Sequence, residues 1–318
     1  MKIEVLFLLL VTGACFCDKD FCRETTSSIW YDHALIGHVI KSLLTRGIFA
    51  CAHKCLSLTG CSSYNYETSA PQDYSVCELN GGGESDYPAI TGKHGFAFAQ
   101  VRKTTKSCLE AWENGARASG FYCIQANDGH FHKLYCDLAS EPGWAWTLVM
   151  SQTLGNRNEQ FAQKGFLTDS PRNAEFPNWE AYRLSLSRMV ELKSNSTHWR
   201  VTCSFPSFGV DYRDYVRAEF EQFDLLTFRA NRHCKLVEYM DVRGHVCQQC
   251  TAAWGQDKSD FLTHRSDVNH SCTRGQTPNH VKGEQAFGRY RKGRNPKFRC
   301  TSGDSAVTSY WFGSRLKS

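Results

Sequence analysis

The runs Gly120-Phe121-Tyr122-Cys123-Ile124, Phe131-His132-Lys133-Leu134-Tyr135-Cys136-Asp137-Leu138 and Gly143-Trp144-Ala145-Trp146-Thr147-Leu148-Val149 are short, aromatic and β-prone. Between the first two lies Asn127-Asp128-Gly129, a tight-turn signal that joins them as a hairpin. Just upstream, Ser107-Cys108-Leu109-Glu110-Ala111 opens a short helix for which Ser107 is a suitable cap. Helix, hairpin and further strand, with cysteines spaced among them, predict an α+β fold.

Working back along the chain, Ile48, Cys51, Ala52, Cys55 and Leu56 recur at helical spacing between Gly47 and Leu58. Cys51 and Cys55 then lie one turn apart on one face. Gly60 ends that helix, after which Cys61-Ser62-Ser63-Tyr64-Asn65-Tyr66 alternates like a strand and Val76-Cys77-Glu78-Leu79 reads as a second. The expectation is a helix stapled to a small antiparallel sheet. Asn80-Gly81-Gly82-Gly83-Glu84-Ser85-Asp86 reads as an exposed loop, and Phe96-Ala97-Phe98-Ala99-Gln100-Val101 as the last strand of this region. Arg102-Lys103-Thr104-Thr105-Lys106 carries no apolar side chain to bury and reads as a linker. These breaks divide the chain into a leader at 1–17, a first module at 18–102, a linker at 103–107 and a second module at 108–318.

The leader has a positive start at Lys2, the apolar run Val5-Leu6-Phe7-Leu8-Leu9-Leu10-Val11 and a small-residue exit at Thr12-Gly13-Ala14-Cys15, the pattern of a secretory signal peptide. The run is shorter than the ~20 residues a membrane-spanning helix needs. Sixteen cysteines in 318 residues agree with an oxidising destination. Cleavage near Cys15 or Cys17 would leave an even number for pairing. Asn195-Ser196-Thr197 and Asn269-His270-Ser271 are glycosylation sequons, so Asn195 and Asn269 are expected on exposed turns. The composition, with twenty Phe, thirteen Tyr and eight Trp, excludes disordered and collagenous classes.

The segments His38-Val39-Ile40-Lys41-Ser42, Cys51-Ala52-His53-Lys54-Cys55-Leu56, Cys61 to Tyr66 and Cys77-Glu78-Leu79-Asn80 together resemble a PAN/apple domain. In that family the central helix is bridged twice to the sheet. The resemblance therefore implies Cys51 with Cys77 and Cys55 with Cys61, and leaves Cys22 without an assigned partner.

The second module resembles the entry to fibrinogen C-terminal-like domains, including the intelectin branch. The likeness rests on Cys108, Gly120-Phe121-Tyr122, Leu134-Tyr135-Cys136-Asp137-Leu138 and Trp146-Thr147-Leu148-Val149. Tyr182-Arg183-Leu184, Trp199 to Cys203, Phe261-Leu262-Thr263 and Tyr310-Trp311-Phe312-Gly313 follow it more loosely. The resemblance implies Cys108 with Cys136, and Cys123 is an addition to the pattern. The whole arrangement, leader, PAN/apple and divergent fibrinogen-like module, is similar in architecture to secreted cnidarian proteins such as those of the coral skeletal organic matrix.

Fibrinogen-like domains carry a calcium loop of closely spaced aspartates, because calcium takes six to eight oxygen ligands. By order along the chain the calcium candidates are Asp267, in Thr263-His264-Arg265-Ser266-Asp267-Val268-Asn269, and the pair Asp257 and Asp260. Arg265 and Lys258 oppose the ion in each case. Cys247-Gln248-Gln249-Cys250 could be half a zinc site or a redox dithiol, but no second metal-spaced pair accompanies it, so a structural disulfide is expected. His130 and His132 flank Phe131, and His264 and His270 lie six apart. Without a carboxylate partner in view, the first pair reads as a solvated face.

Arg289-Tyr290-Arg291-Lys292-Gly293-Arg294-Asn295-Pro296-Lys297-Phe298-Arg299 concentrates six cations with no acid in a chain of net charge +5. It is either a solubilising loop or a polyanion-binding surface formed by Arg289, Arg291, Lys292, Arg294, Lys297 and Arg299, and its aromatic residues favour the second. Neither Gly-x-Ser-x-Gly nor His-Glu-x-x-His nor a phosphate-cradling glycine loop occurs, so no enzyme is expected. The expected role is a secreted adhesion glycoprotein of extracellular matrix, in the setting of a mineralised skeleton, with glycans or acidic matrix macromolecules as partners. Nucleic acid is not expected as a ligand outside the cell. The alternative is a soluble calcium-dependent defence lectin.

Overall fold

The computed structural model describes residues 14–17, 22–25, 29–58, 60–69, 74–83, 88–101, 105–267 and 271–316. Residues 1–13 of the expected leader, residues 103 and 104 of the expected linker, and Asn269 of the second sequon lie outside the described residues. So do the side chains of 14–17 and 22–25, among them Cys22. The chain forms two compact units, Met1–Thr105 and Lys106–Ser318. Both are sheet-rich with few helices.

In the first unit β1 (Ala14–Cys17) pairs with β2 (Cys22–Thr25). A separate five-stranded antiparallel sheet is built from β3 (Ile29–Leu35), β4 (Val39–Thr45), β5 (Ser63–Glu67), β6 (Ser75–Asn80) and β7 (Ile90–Gln100), in the order β3-β7-β5-β6-β4. The helix α1 (Ile48–Leu56) buries Cys51, Ala52 and Cys55 against it. Two bridges hold the helix down, Cys51–Cys77 to β6 and Cys55–Cys61 to the start of the next strand. Within this sheet, buried Asn65 of β5 donates to the Leu35 carbonyl at 3.0 Å and accepts from the Leu35 amide at 2.8 Å, tying β5 to the end of β3.

The second unit opens with α2 (Cys108–Glu113), where the Ser107 hydroxyl accepts from the Glu110 amide at 3.1 Å. β8 (Gly120–Gln125) and β9 (Phe131–Asp137) form the hairpin, with Gly129 at φ 88° in the turn. β10 (Trp144–Thr153) is buried along almost its whole length. Then follow α3 (Gln160–Gln163), β11 (Ala181–Arg183), α4 (Leu186–Ser194), β12 (His198–Cys203), α5 (Phe205–Phe208) and β13 (Tyr215–Glu219). β14 (Ala230–Val242) and β15 (His245–Gln256) make a long hairpin, β16 (Thr263–Arg265) and β17 (Gln285–Ala286) extend it, and β18 (Val307–Arg315) closes the set.

Ten of these strands run β17-β16-β15-β14-β13-β12-β18-β10-β9-β8, and β11 adds to β10. Every pairing is antiparallel. The strand latest in sequence, β18, sits at the centre between β10 and β12, with Tyr310, Trp311 and Phe312 fully buried. The core is aromatic, with Trp146, Trp199, Trp254 and Trp311 all sealed from solvent.

Cys108–Cys136, Cys203–Cys300, Cys234–Cys272 and Cys247–Cys250 are bridged in this unit, and Cys123 is also disulfide-bonded. Among the described residues no helix is long and apolar enough to cross a membrane.

Candidate functional site

The basic segment 289–299 does not stand free of the sheet. Tyr290 and Phe298 are core residues, 1% and 0% exposed: the Tyr290 hydroxyl meets Thr308 Oγ1 at 2.8 Å, and the Phe298 ring packs edge-on against Phe287. These two aromatic side chains anchor the loop to the sheet instead of facing a ligand. Three of the six cations meet acids. Arg289 pairs with Asp260, Arg291 lies 3.8 Å from the same carboxylate, and Arg299 grips Asp211 through two bonds of 2.8 Å. Lys292, Arg294 and Lys297 are exposed, with no carboxylate partner among the described residues.

What the folded loop makes instead is one wall of a cleft of about 340 Å³. Arg289, Arg291 and Lys292 come from that loop, Arg265 from β16, and Arg232 from the irregular start of β14. Five cations thus face one space, against the carboxylates of Asp257 and Asp260. Arg232 adopts φ 58°, an uncommon value for a residue with a side chain, at the point where the β14–β15 register shifts. Gly288 sets the depth of Arg289: its backbone lies against the Leu262 carbonyl, where any Cβ would collide.

Arg289 is 4% exposed, yet among the described residues its Nε and Nη2 find no hydrogen-bond partner, and neither does Thr263 Oγ1 beside it. A buried guanidinium with open donors is costly unless something accepts from them. The cleft therefore presents fixed donors and excess positive charge, a combination suited to an oxyanion.

The same geometry turns the calcium candidates to other work. Asp257 Oδ1 accepts from the Ser259 amide (2.6 Å), the Ser259 hydroxyl (2.8 Å) and the Asp260 amide (2.7 Å), so it closes its own turn. Asp260 faces Arg289. Asp267 is held by Arg265 at 3.0 and 3.2 Å and by the Gly283 amide at 2.7 Å. Burial pushes the Asp267 carboxyl up, but the Arg265 and Gly283 hydrogen bonds outweigh it and leave the group below its ordinary value. Calcium would have to displace an arginine at Asp260 and at Asp267. Among the described residues no three His, Cys, Asp or Glu converge as a metal site.

The remaining sequence candidates separate. His132 is not a solvated partner of His130: its Nδ1 lies 3.1 Å from both oxygens of Glu175, an acid brought in from a distant loop. His264 is buried, with Nδ1 3.1 Å from the Ala253 carbonyl, and His270 lies outside the described residues. Asn195 is exposed at the end of α4. Cys247 and Cys250 are bonded to each other.

A second group of charges is largely internal. Arg200, fully buried, donates to Asp137 at 2.6 Å and Glu141 at 2.7 Å, while its guanidinium lies 4.7 Å from the ring centroids of both Trp146 and Trp311. Arg217 bridges Glu141 and Glu238. Burial pushes the Asp137 carboxyl up, but the Arg200 charge and the Ser140 and Arg200 hydrogen bonds bring it down to about 2. These pairings tie the strands that carry them to one another.

Arg232 and Thr263 are the cleft residues the sequence does not single out. No local signal marks either one, since the residues that line the cleft with them come from other strands and loops. No protein-family model matches the chain, and no curated protein matches it.

Proposed function

We propose that the chain is an exported, non-catalytic adhesion glycoprotein of extracellular matrix that binds acidic glycans or acidic matrix macromolecules through the cleft at Arg232, Arg265, Arg289, Arg291 and Lys292. In this reading the first unit is a PAN/apple module and the second a divergent fibrinogen C-terminal-like module, as their residue patterns suggest. A mineralising tissue is the setting that the architecture favours.

The observation that carries the proposal is buried Arg289, whose Nε and Nη2 are open while four further cations line the same space. Sulfate esters and carboxylates offer the paired oxygens that a guanidinium fork accepts. The bridges in both units suit an oxidising compartment. For a calcium-dependent lectin the arginines at Asp260 and Asp267 are adverse.

The test is retention on an immobilised sulfated glycan. Binding is expected to survive chelator, to weaken steeply with salt, and to fall roughly tenfold or more in the double variant Arg291→Glu, Lys292→Glu, whose side chains are exposed. Retention that chelator abolishes and the double variant leaves unchanged would favour the lectin and sink this reading.

A further inference from the structure

A second cleft in the same unit, of about 320 Å³, is lined by His245, Cys247, Gln248, Cys250, Arg274 and Gln276 among others. Three observations mark its disulfide as unlike its neighbours. Cys247 and Cys250 sit three apart on one strand, β15, which is already held in register with β14 on both sides of them. The bond therefore closes a very short loop and adds little to the constraint that the sheet supplies.

A regular strand would put residues three apart on opposite faces and about 10 Å apart along its length. Here the two Cα atoms are 6.1 Å apart and Gln249 between them takes φ 45°, a left-handed value that a residue with a side chain rarely adopts. The ladder register does not slip across the pair, so the distortion is confined to the bridged segment.

The third observation is Arg274. It is 9% exposed, lines the cleft, and among the described residues pairs with no carboxylate, while its Nε has no hydrogen-bond partner. Its backbone is pinned beside the disulfide: the Arg274 amide donates to the Thr251 carbonyl at 2.9 Å, and the Thr251 amide donates to Thr273 Oγ1 at 2.7 Å. Burial lowers the Arg274 guanidinium to about 10, with Asp241 pulling the other way, so it remains a cation at neutral pH.

We propose that Cys247–Cys250 is a thiol–disulfide exchange site for a thiol that carries a carboxylate, with Arg274 holding the carboxylate. Cys247 is the partly exposed sulfur and Cys250 is buried, 8% exposed, so attack falls on Cys247. The incoming thiolate forms a bond to Cys247 Sγ, the Cys247–Cys250 bond breaks, and its electron pair leaves on Cys250 Sγ. A second thiolate attacks the incoming sulfur, releasing Cys247 as a thiolate. The two small thiols are oxidised to one disulfide and the protein pair is reduced, taking two protons from solvent. Reduction frees Gln249 to return to extended backbone.

The experiment uses the full exported chain and glutathione as probe. After graded exposure to reduced glutathione under native conditions, free thiols are alkylated and located by mass spectrometry. Cys247 and Cys250 are expected to label at a glutathione concentration on the order of tenfold or more below that needed for any other pair. In Cys250→Ser exposed to oxidised glutathione, the free Cys247 thiolate is expected to attack the glutathione disulfide, take up one glutathione and release the other as its thiolate, and Arg274→Gln is expected to slow reduction of the unaltered pair by glutathione several-fold more than reduction by uncharged 2-mercaptoethanol. Labelling of Cys247 and Cys250 no earlier than Cys203 and Cys300 in the unaltered chain would overturn the proposal, and that measurement needs no variant to fold. Equal slowing with both thiols would remove Arg274's part in it.

Discussion

Asp137 shows how much a single residue carries. Its carboxylate is sealed against Arg200, and the pairing lowers it from an ordinary 3.8 to about 2. A carboxylate with a lowered value in the folded state contributes stability that is complete above its unfolded value and is lost as the pH falls through the folded one. The shift corresponds to about 2 kcal/mol, so the denaturant midpoint is expected to fall between about pH 4 and pH 2. Asp137→Asn should cost ~3–5 kcal/mol at neutral pH, by leaving Arg200 half-paired, and should flatten that acid slope. A variant that keeps the full slope would show that another group sets it.

The residue scale also shows why the basic segment misleads when read alone. Six cations without an acid nearby in sequence look unpaired, yet Arg299 meets Asp211 from 88 residues away. Tyr290 and Phe298 look like surface aromatics only until the sheet that buries them is present. Charge pairing across strands has no local periodicity to report it.

Elements were more legible, because their reasons are local. The Asn127-Asp128-Gly129 turn carries its own signal: Asp128 Oδ1 accepts from the His130 amide at 2.9 Å, and Gly129 supplies the positive φ. Helix α1 runs Ile48–Leu56, inside the window set by Gly47 and Leu58, and turns its two cysteines inward as their four-residue spacing requires. The long hairpin of β14 and β15 left no comparable mark, since charged and polar residues fill its exposed positions.

The bridges differ as elements too. Cys203–Cys300 closes a separation of 97 residues and Cys247–Cys250 one of three, so chain entropy assigns them about 5 and about 2 kcal/mol. Replacing Cys203 and Cys300 by Ala should therefore lower the denaturant midpoint far more than the same change at Cys247 and Cys250. Equal losses would mean that the short bridge constrains more than its own turn.

At the scale of the whole molecule, the modest net charge of +5 conceals an uneven distribution. In the second unit Arg200 and Arg217 are matched by Asp137, Glu141 and Glu238, leaving the cleft around Arg289 as a place where positive charge exceeds negative. A count over the whole sequence averages the two together. Which cations neutralise which acids is a property of the sheet order, so the cleft becomes visible only once β16 and the loop after β17 stand beside β14 and β15.

That sheet order also bears on how the protein is made. β18 fills the gap between β10 and β12, yet it is the last of these strands to be synthesised. Until residues 307–315 arrive, the newborn chain has two half-sheets with bare edges and an aromatic seam open to water. A chain stopped after Ala306 is expected to aggregate or be held back by chaperones and to show no protease-resistant core, and secretion of a folded product would contradict this. Folding of the second unit thus waits on residues 307–315 to join its two half-sheets. Cys300, whose sulfur lies 3.7 Å from the Val307 carbonyl, rests against the first residue of that strand, so the Cys203–Cys300 bridge gains its packed surroundings only when β18 is in place.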